Sequence, residues 1–574
     1  MNHTVLAICL QILYLSALFS SCSTETKEEK FIPSELSDEW YRNSVVYNIE
    51  VATFKDSDGD GIGDFRGLTS KLGYLDTLGI DVIWLAPFQP SPRRDDGYDV
   101  TDHFSIDERL GTFGDFDLFI KEAKRRGLRV LMDAVLNHTS IDHPWYRQAR
   151  ADSTSPYHSW YVWSATKPKD WDKGMVFPGV QNQTWTFDEI ASKYYFHRFY
   201  DFQPDLNYEN PEVERMAAKV LTYWLEKGID GFRLDAVPFI IDIPRTGSEN
   251  PEHMFPILTR LRKAVEKVNP EAVLLGEANV TAEENVHYFG GEGERLHMMF
   301  NFFANQYLFY ALATHDASSF AKALKEFEKK PLPSQWAFFL RNHDEIDLAR
   351  LRKAQRQTVY DKFGPETNMQ LYDRGIRRRL APMLQDPRLI RMAYSLLFSL
   401  PGAPVIRYGE EIGMGDDLTL PERVAVRTPM QWDQTSNGGF THSAEPFRNM
   451  VSLGPFSYQN VNVASQWRDS TSLLRFIKGL IEVRRTHPEV GRGRWELIPM
   501  NADAIFAIHY QLQGRRLLVV HNFSDKPQKL SLGMEATDQY NVTPVFGHEI
   551  SAMRGAADTL PGYGFQWLYL TPKK

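Results

Sequence analysis

Thiol chemistry is scarce in this chain. Two cysteines occur in 574 residues, at positions 9 and 22, and Cys9 lies in an apolar N-terminal stretch of the kind removed on export. Cys22 is then the only thiol expected in the mature chain, no intramolecular disulfide can form, and the fold has to be held by its core. Clustered base is missing as well. The formal charge is −9, from 65 Lys and Arg against 74 Asp and Glu, and without a basic patch the electrostatic footprint of nucleic-acid binding is absent. Internal repeats and low-complexity tracts are also absent, which excludes solenoids and long disordered arms. At 43% hydrophobic residues, the chain is globular and too long for one ordinary domain.

Acid at close spacing is what stands out instead. Residues 56–64 read DSDGDGIGD, acidic at alternate positions with glycine after the third, like the opening of an EF-hand loop. That loop requires a bidentate glutamate at its twelfth position, and counting from Asp56 the twelfth residue is Gly67. The preceding SVVYNIEVATF (44–54) is β-branched and aromatic, a buried strand by pattern and not an incoming helix. The loop is not an EF-hand. Asp56, Asp58, Asp60 and Asp64 still put four carboxylates within nine residues, and a hard divalent cation would relieve their repulsion. A solvated acidic turn is the alternative.

Residues 5–21, VLAICLQILYLSALFSS, read as the core of a secretory signal. LFSSC (18–22) then resembles a bacterial lipobox, with Cys22 as the lipidated first residue and the polar tether STETKEEK behind it. This predicts an exported, membrane-anchored lipoprotein with a signal over 1–21 and a tether over 22–39. A plain cleaved signal and a membrane anchor are the alternatives.

After residue 40 the pattern alternates. Short apolar runs occur at YNIEVATF (47–54), DVIWLAP (81–87), LRVLMDAV (128–135), GFRLDAV (231–237), AVLLGEA (272–278), HMMFNF (297–302), QWAFFL (335–340) and APVIRYG (403–409). Helical stretches such as FDLFIKEAKRRG (116–127) and VERMAAKVLTYWLEKG (213–228) separate most of them. Eight doubly buried strands alternating with helices predict an α/β fold, a (β/α)8 TIM barrel. Residues 137–207 are long, aromatic and irregular where one short helix is due, so an inserted domain follows the third strand. Beyond about residue 485, AIFAIHYQL, RRLLVVHNFS and GFQWLYL are all strand and predict a C-terminal β-sandwich. The barrel is expected over 40–136 and 208–484, the insertion over 137–207 and the sandwich over 485–574.

Sites on such barrels form at the C-terminal ends of the strands. Those ends carry Asp133 with Asn137 and His138, Arg233 with Asp235, Glu277, and His343 with Asp344. Isolated rim ion pairs would explain any one of them but explain the set poorly, because all face one crevice. Arg233 and Asp235 are two apart on a strand and point the same way, and the guanidinium favours the ionised carboxylate. That makes Asp235 a candidate nucleophile. Glu277 follows AVLLG, an apolar setting that raises a carboxyl pKa and suits a general acid/base. One ionised and one protonated carboxylate is the pairing used in retaining glycoside hydrolysis.

DAVLNH (133–138), GFRLDAV (231–237), GEAN (276–279) and RNHDE (341–345) resemble the four motif regions of glycoside hydrolase family 13, the α-amylase family. QPDLN (203–207) resembles the extra motif of its oligo-1,6-glucosidase subgroup, and the likeness runs in motif order over about residues 40 to 570. The resemblance implies Asp235 as nucleophile, Glu277 as acid/base and Asp344 as transition-state stabiliser. It further implies substrate contacts at Tyr98 and Asp99 (from GYDV, 97–100), His138, Arg233, His343 and Arg427 (from RTPMQW, 427–432). For the acidic loop it implies a structural Ca2+ or Mg2+ held by Asp56, Asp58, Asp60, Asp64 and the Ile62 carbonyl. A second calcium would use Asn137 and Asp205. Within the family, GIRRRLAPML, SLLFSLPGAPV, YGEEIGMGD and VRTPMQW read like the trehalose-synthase group.

LPERVAVRTPMQW and Arg407 in IRYGEE differ from that group's pattern, and both differences are expected on the acceptor side. The resemblance therefore implies a small-molecule substrate (maltose, trehalose or short α-glucans) and a glucosyltransferase with side hydrolysis. An exported α-glucosidase is the second expectation, and a non-catalytic binding or transporter-partner barrel the third.

Overall fold

Eight parallel strands close on one another in chain order: β1 (Val46–Ile49), β2 (Val82–Leu85), β3 (Arg129–Ala134), β4 (Gly231–Leu234), β5 (Val273–Gly276), β6 (Met298–Phe300), β7 (Gln335–Phe339) and β8 (Ala403–Arg407). The structure is a computed structural model that describes residues 39–242, 254–530, 539–548 and 559–573. The expected signal, Cys22 and all but the last residue of the tether lie outside the described residues. Within them, no helix is long and apolar enough to cross a membrane.

Period-two alternation along each strand divides the core. Val46, Val82, Trp84, Leu131, Leu275, Phe300 and Val405 fill the barrel, whereas Tyr47, Ile83, Leu85, Met132, Phe232, Leu274 and Ile406 face the surrounding helices. Two residues beyond Leu131, Leu275 and Val405 the same inward parity reaches Asp133, Glu277 and Arg407. Register adds Arg233, which pairs with Asp133 across β3 and β4, and parity along β4 adds Asp235. Polar groups thus enter the barrel only where its apolar layers end.

The helices form where the 3.6-residue pattern predicts them, with their starts set by capping chemistry. The helix Phe113–Arg125 begins at a Thr112–Asp115 capping box and buries Phe116, Phe119, Ile120 and Ala123. The helix Pro211–Glu226 starts with Asn210 as cap and proline in the first turn. Its Trp224 is fully buried against Phe88 and Phe116, and the indole N–H donates to the His103 carbonyl at 2.8 Å.

The first strand departs from expectation. It ends at Ile49, and Val51–Phe54 forms one helical turn instead of continuing the strand. Long-range backbone bonds hold this turn: Gly63 N–H donates to Ala52 O and Met430 N–H to Thr53 O. Tertiary contacts here override the β propensity of the run. A Cβ on Gly63 would lie 2.1 Å from the Val51 carbonyl oxygen, so glycine is needed for that approach.

The insertion after β3 contains the helix Pro144–Ala151 and a small antiparallel sheet of Trp163–Ser164, Trp185–Asp188 and Lys193–Phe196. Its two ends meet at a bridge between His138 and Asp205. At the C-terminus, five antiparallel strands (Arg494–Leu497, Ile505–Leu512, Arg515–Asn522, Phe565–Pro572 and Tyr540–Gly547) form a sheet. One face, with Phe506, Ile508, Val519 and Trp567, joins the barrel's core. The other packs Ala507, Val520 and Leu568 on Leu530 and Leu560. The second layer of this expected sandwich is, among the described residues, the two-stranded ribbon Gln528–Lys529 with Thr559–Leu560.

Candidate active site

A cavity of about 800 Å³ occupies the C-terminal mouth of the barrel. Asp235, Glu277, His343, Asp344, Tyr98 and His138 line it, as the sequence predicts, together with Phe177 and Phe199 from the insertion. Beneath them lies Arg233, 1% exposed. Its Nη1 donates to Asp133 Oδ1 and Asp235 Oδ1, each at 2.6 Å, and its Nη2 lies 2.7 Å from Glu277 Oε2. Arg233 therefore does not line the cavity. It sits under the carboxylates and positions them, where the sequence placed it among the substrate contacts.

Electrostatics separates the carboxylates. Burial pushes Glu277 up to about 7, with Arg233 pulling it down and Asp235 and Asp344 pushing it further up. Burial pushes Asp235 up to about 6 against the same guanidinium. Arg233 thus limits the rise at Asp235 without abolishing it, and Glu277 holds its proton to higher pH. Asp344 is the opposite case: burial raises it, but His343, Arg423, Arg427 and Arg233 outweigh that and hold it far below the usual carboxylate range. Arg423 Nη1 and Arg427 Nη2 each bind Asp344 Oδ1 at 2.9 Å.

Tyr98 donates its hydroxyl to Asp133 Oδ2 at 3.0 Å and stacks on His343. His343 Nε2 is 2.7 Å from the Tyr98 oxygen and 3.1 Å from Asp344 Oδ2, so one N–H on that nitrogen serves both acceptors. Burial drives His343 well below its usual range, which keeps the ring neutral. His138 points its Nε2 at the Tyr98 carbonyl, 3.1 Å away. Ala236, next to Asp235, has φ of 50°, a left-handed conformation that costs a non-glycine residue about 1–2 kcal/mol. This turn aims the Ala236 N–H at Glu277 Oε2, 3.2 Å away.

Four further sequence expectations need correction. Asp99 is fully buried and does not line the cavity; its carboxylate accepts from Ser91 Oγ and from the Arg94 and Asp95 N–H groups. Asp95 faces the cavity instead. Gly97, at φ 110°, reverses the chain between the two aspartates, and residue spacing alone does not reveal that turn. Arg427 likewise stands behind Asp344, donating to the His343 carbonyl and to Asp96. The divergent segment contributes Arg423, which the sequence reading missed. Its Nη2 reaches Asp95 Oδ1 at 2.7 Å, so it joins the Asp344 wall instead of an acceptor rim. Arg407 is fully buried and also does not line the cavity; it binds Asn48 Oδ1 at 3.1 Å and approaches Glu50.

In the acidic loop, carboxylate oxygens of Asp56, Asp58 and Asp64 lie within 4.8 Å of one another, a hard all-oxygen donor set that fits a divalent cation. Burial raises Asp56, but Thr441 Oγ1 and the N–H groups of Gly59, Gly61 and Asp58 outweigh it and hold the carboxyl below its usual range. Asp60 is exposed, stands outside that trio and accepts the Ile62 N–H at 2.7 Å. Asn137 and Asp205 also meet, where the insertion joins the barrel. His138 stands with them, its Nδ1 3.4 Å from Asn137 Nδ2, and burial pushes Asp205 up to about 7.

A parallel barrel with three convergent carboxylates at its mouth, two of them sharing one guanidinium, is the architecture of a carboxylate-driven glycosidase. The family model for the alpha amylase catalytic domain matches residues 48–493. The chain is 40% identical to a trehalose synthase/amylase of Mycobacterium tuberculosis over 545 residues, covering 93% of this chain and 90% of that protein. It is 42% identical over 504 residues to a trehalose synthase of Thermus thermophilus, covering 87% of this chain but spanning only about half, 52%, of the Thermus protein. Among solved structures, the alpha-amylase from H. orenii superposes with a TM-score of 0.74 at 29% identity, over 92% of this chain and 99% of that one. The chain belongs to the alpha-amylase family.

The charge balance around Arg233 can be checked without any substrate. Arg233→Met removes the cation that Asp133, Asp235 and Glu277 share, and breaking a buried pair on one side costs about 3–5 kcal/mol. In the variant these carboxyls bind protons more tightly folded than unfolded, so stability returns as pH falls. Urea unfolding is expected to show the full loss at pH 8 and a clearly smaller one at pH 5. Equal losses at both would contradict the assignment.

Proposed function

We propose that this protein is a retaining α-glucoside-active enzyme of trehalose-synthase type, interconverting maltose and trehalose with side hydrolysis to glucose. One observation carries the reading: Arg233 grips Asp235 and Glu277 together in the cavity floor. One guanidinium bonded to both keeps the two carboxyls side by side in the cavity floor, the arrangement a retaining pair requires. The high identity to trehalose synthases supports the choice within the family.

The chemistry follows from the protonation order. Ionised Asp235 attacks the anomeric carbon while protonated Glu277 gives its proton to the glycosidic oxygen, and the bond to the leaving glucose breaks. A glucosyl ester on Asp235 and a Glu277 carboxylate remain. Asp344, ionised between Arg423 and Arg427, stabilises positive charge as it develops at the anomeric carbon and orients the sugar. In the second half, a hydroxyl attacks the ester and yields its proton to Glu277. If the retained glucose has turned to present its anomeric hydroxyl, the product is trehalose; if water attacks, it is glucose.

The divalent-cation site formed by Asp56, Asp58 and Asp64, away from the cavity, has a structural role in this proposal, filled by Ca2+ or Mg2+. Export and lipid anchoring through Cys22 belong to the proposal too. The signal-like residues 5–21 favour the second reading, an exported α-glucosidase feeding the cell. A non-catalytic barrel is disfavoured by Asp235, Glu277 and Asp344 meeting in one cavity.

Maltose incubation followed by sugar separation is expected to give trehalose together with free glucose. Asp235→Ala should lower turnover by a factor on the order of 10⁴, while Glu277→Gln should retain most activity on aryl glucosides whose leaving groups need no proton. Glucose as the sole product, even at high maltose and low temperature, would leave the α-glucosidase standing.

For the acidic loop, Asp56→Ala with Asp58→Ala is expected to lower the melting temperature and abolish any rise on adding calcium. A double variant as stable as the parent would make the loop a solvated turn.

A further inference from the structure

We infer that Tyr200, Tyr372 and Glu422 form a clasp over the cavity that decides whether the glucosyl group on Asp235 passes to the retained sugar or to water. The inference rests on the glucosyl transfer proposed above. Three segments far apart in sequence meet here: the insertion brings Tyr200, the segment after β7 brings Tyr372, and the segment after β8 brings Glu422. Both phenols donate to the same oxygen, Glu422 Oε2, Tyr372 at 2.6 Å and Tyr200 in a still closer contact. The phenol oxygens are 3.2 Å apart.

The clasp is coupled to the catalytic wall in two ways. Phe177, which lines the cavity, packs against Tyr200 at 4.8 Å and Tyr372 at 4.6 Å between ring centroids. Arg423, the residue after Glu422, lies 4.8 Å above Phe177 and reaches both Asp344 and Asp95. Glu422 itself has φ of 39°, a left-handed conformation that persists in a non-glycine residue only when its surroundings enforce it. Arg377 secures the same strip from its other side, donating to the Leu418, Leu420 and Glu422 carbonyls.

None of the three clasp residues lines the cavity, so their role runs through the residues that do, Phe177 and Arg423. Their bonds join the insertion to two barrel loops and fix the backbone from which Arg423 extends. With the clasp shut, released glucose is retained. The ester bond to Asp235 then breaks as the anomeric oxygen of glucose bonds to carbon and passes its proton to Glu277. With it open, water enters and attacks the same carbon with the same proton transfer. Hydrogen bonds to a charged acceptor are the strong class, which suits them to hold a closed state against solvent.

The test is the double variant Tyr200→Phe with Tyr372→Phe, which keeps both rings on Phe177 and removes both donors. Initial rates of trehalose and glucose formation from maltose are measured with turnover of an activated aryl α-glucoside and the melting temperature. Losing both donors should shift the trehalose-to-glucose ratio toward glucose by roughly fivefold or more, while aryl-glucoside turnover stays within about twofold. Glu422→Gln, which keeps the shape and removes the charge, should shift the ratio in the same direction and decides the matter if the double variant does not fold. A parent that makes trehalose beside folded variants with an unchanged ratio overturns the clasp alone. So does a parallel fall of both activities with melting temperature, which marks a merely structural role. A parent that makes only glucose overturns the transfer and the clasp together.

Discussion

The guanidinium of Arg233, buried beneath three carboxylates, is the interaction on which the site depends. Asp133, Asp235 and Glu277 cannot all be charged in a dry barrel mouth, and one cation cannot neutralise all three. Burial pushes Asp133 and Asp235 each up to about 6 and Glu277 up to about 7, so Glu277 is the first of the three to take a proton as pH falls and Asp235 the more readily ionised of the catalytic pair. The acid and the nucleophile are thus distinguished by electrostatic necessity and not by residue type.

A second set of charges supports the facing wall. Asp344 pairs with Arg423 and Arg427, Arg427 with Asp96, Asp96 with Arg448, and Arg448 approaches Glu50, which Arg407 also approaches. The ladder runs from the end of β8 to the catalytic wall and alternates in sign. Its outermost carboxylate, Asp344, therefore stays ionised where burial alone would protonate it. The two halves of the site are held by opposite logic, one short of cations and one rich in them.

Much of this was legible in the sequence because it follows from period and parity. Alternating apolar runs gave the eight strands, and inward parity carried from Leu131, Leu275 and Val405 reaches the polar groups at the strand ends. What escaped depends on loops. In DDGYD, Asp95 and Asp99 are equivalent by composition, and only the reversal at Gly97 decides which faces the cavity. Val51–Phe54 has strand propensity, yet backbone bonds from Gly63 and Met430 hold it helical. Arg423 and the Tyr200–Tyr372–Glu422 cluster join segments more than 50 residues apart in at least one pairing, and no local pattern marks such a meeting.

The split protonation of the Arg233-linked pair is the central claim, and the pH dependence of kcat/KM on maltose measures it most directly. Turnover requires Asp235 ionised, so it should rise as pH passes about 6, and it requires Glu277 protonated, so it should fall as pH passes about 7. The two apparent values belong to the coupled pair. Glu277→Gln, assayed on an activated aryl glucoside, should lose the alkaline limb and keep the acid one. An alkaline limb that survives this substitution would contradict the account.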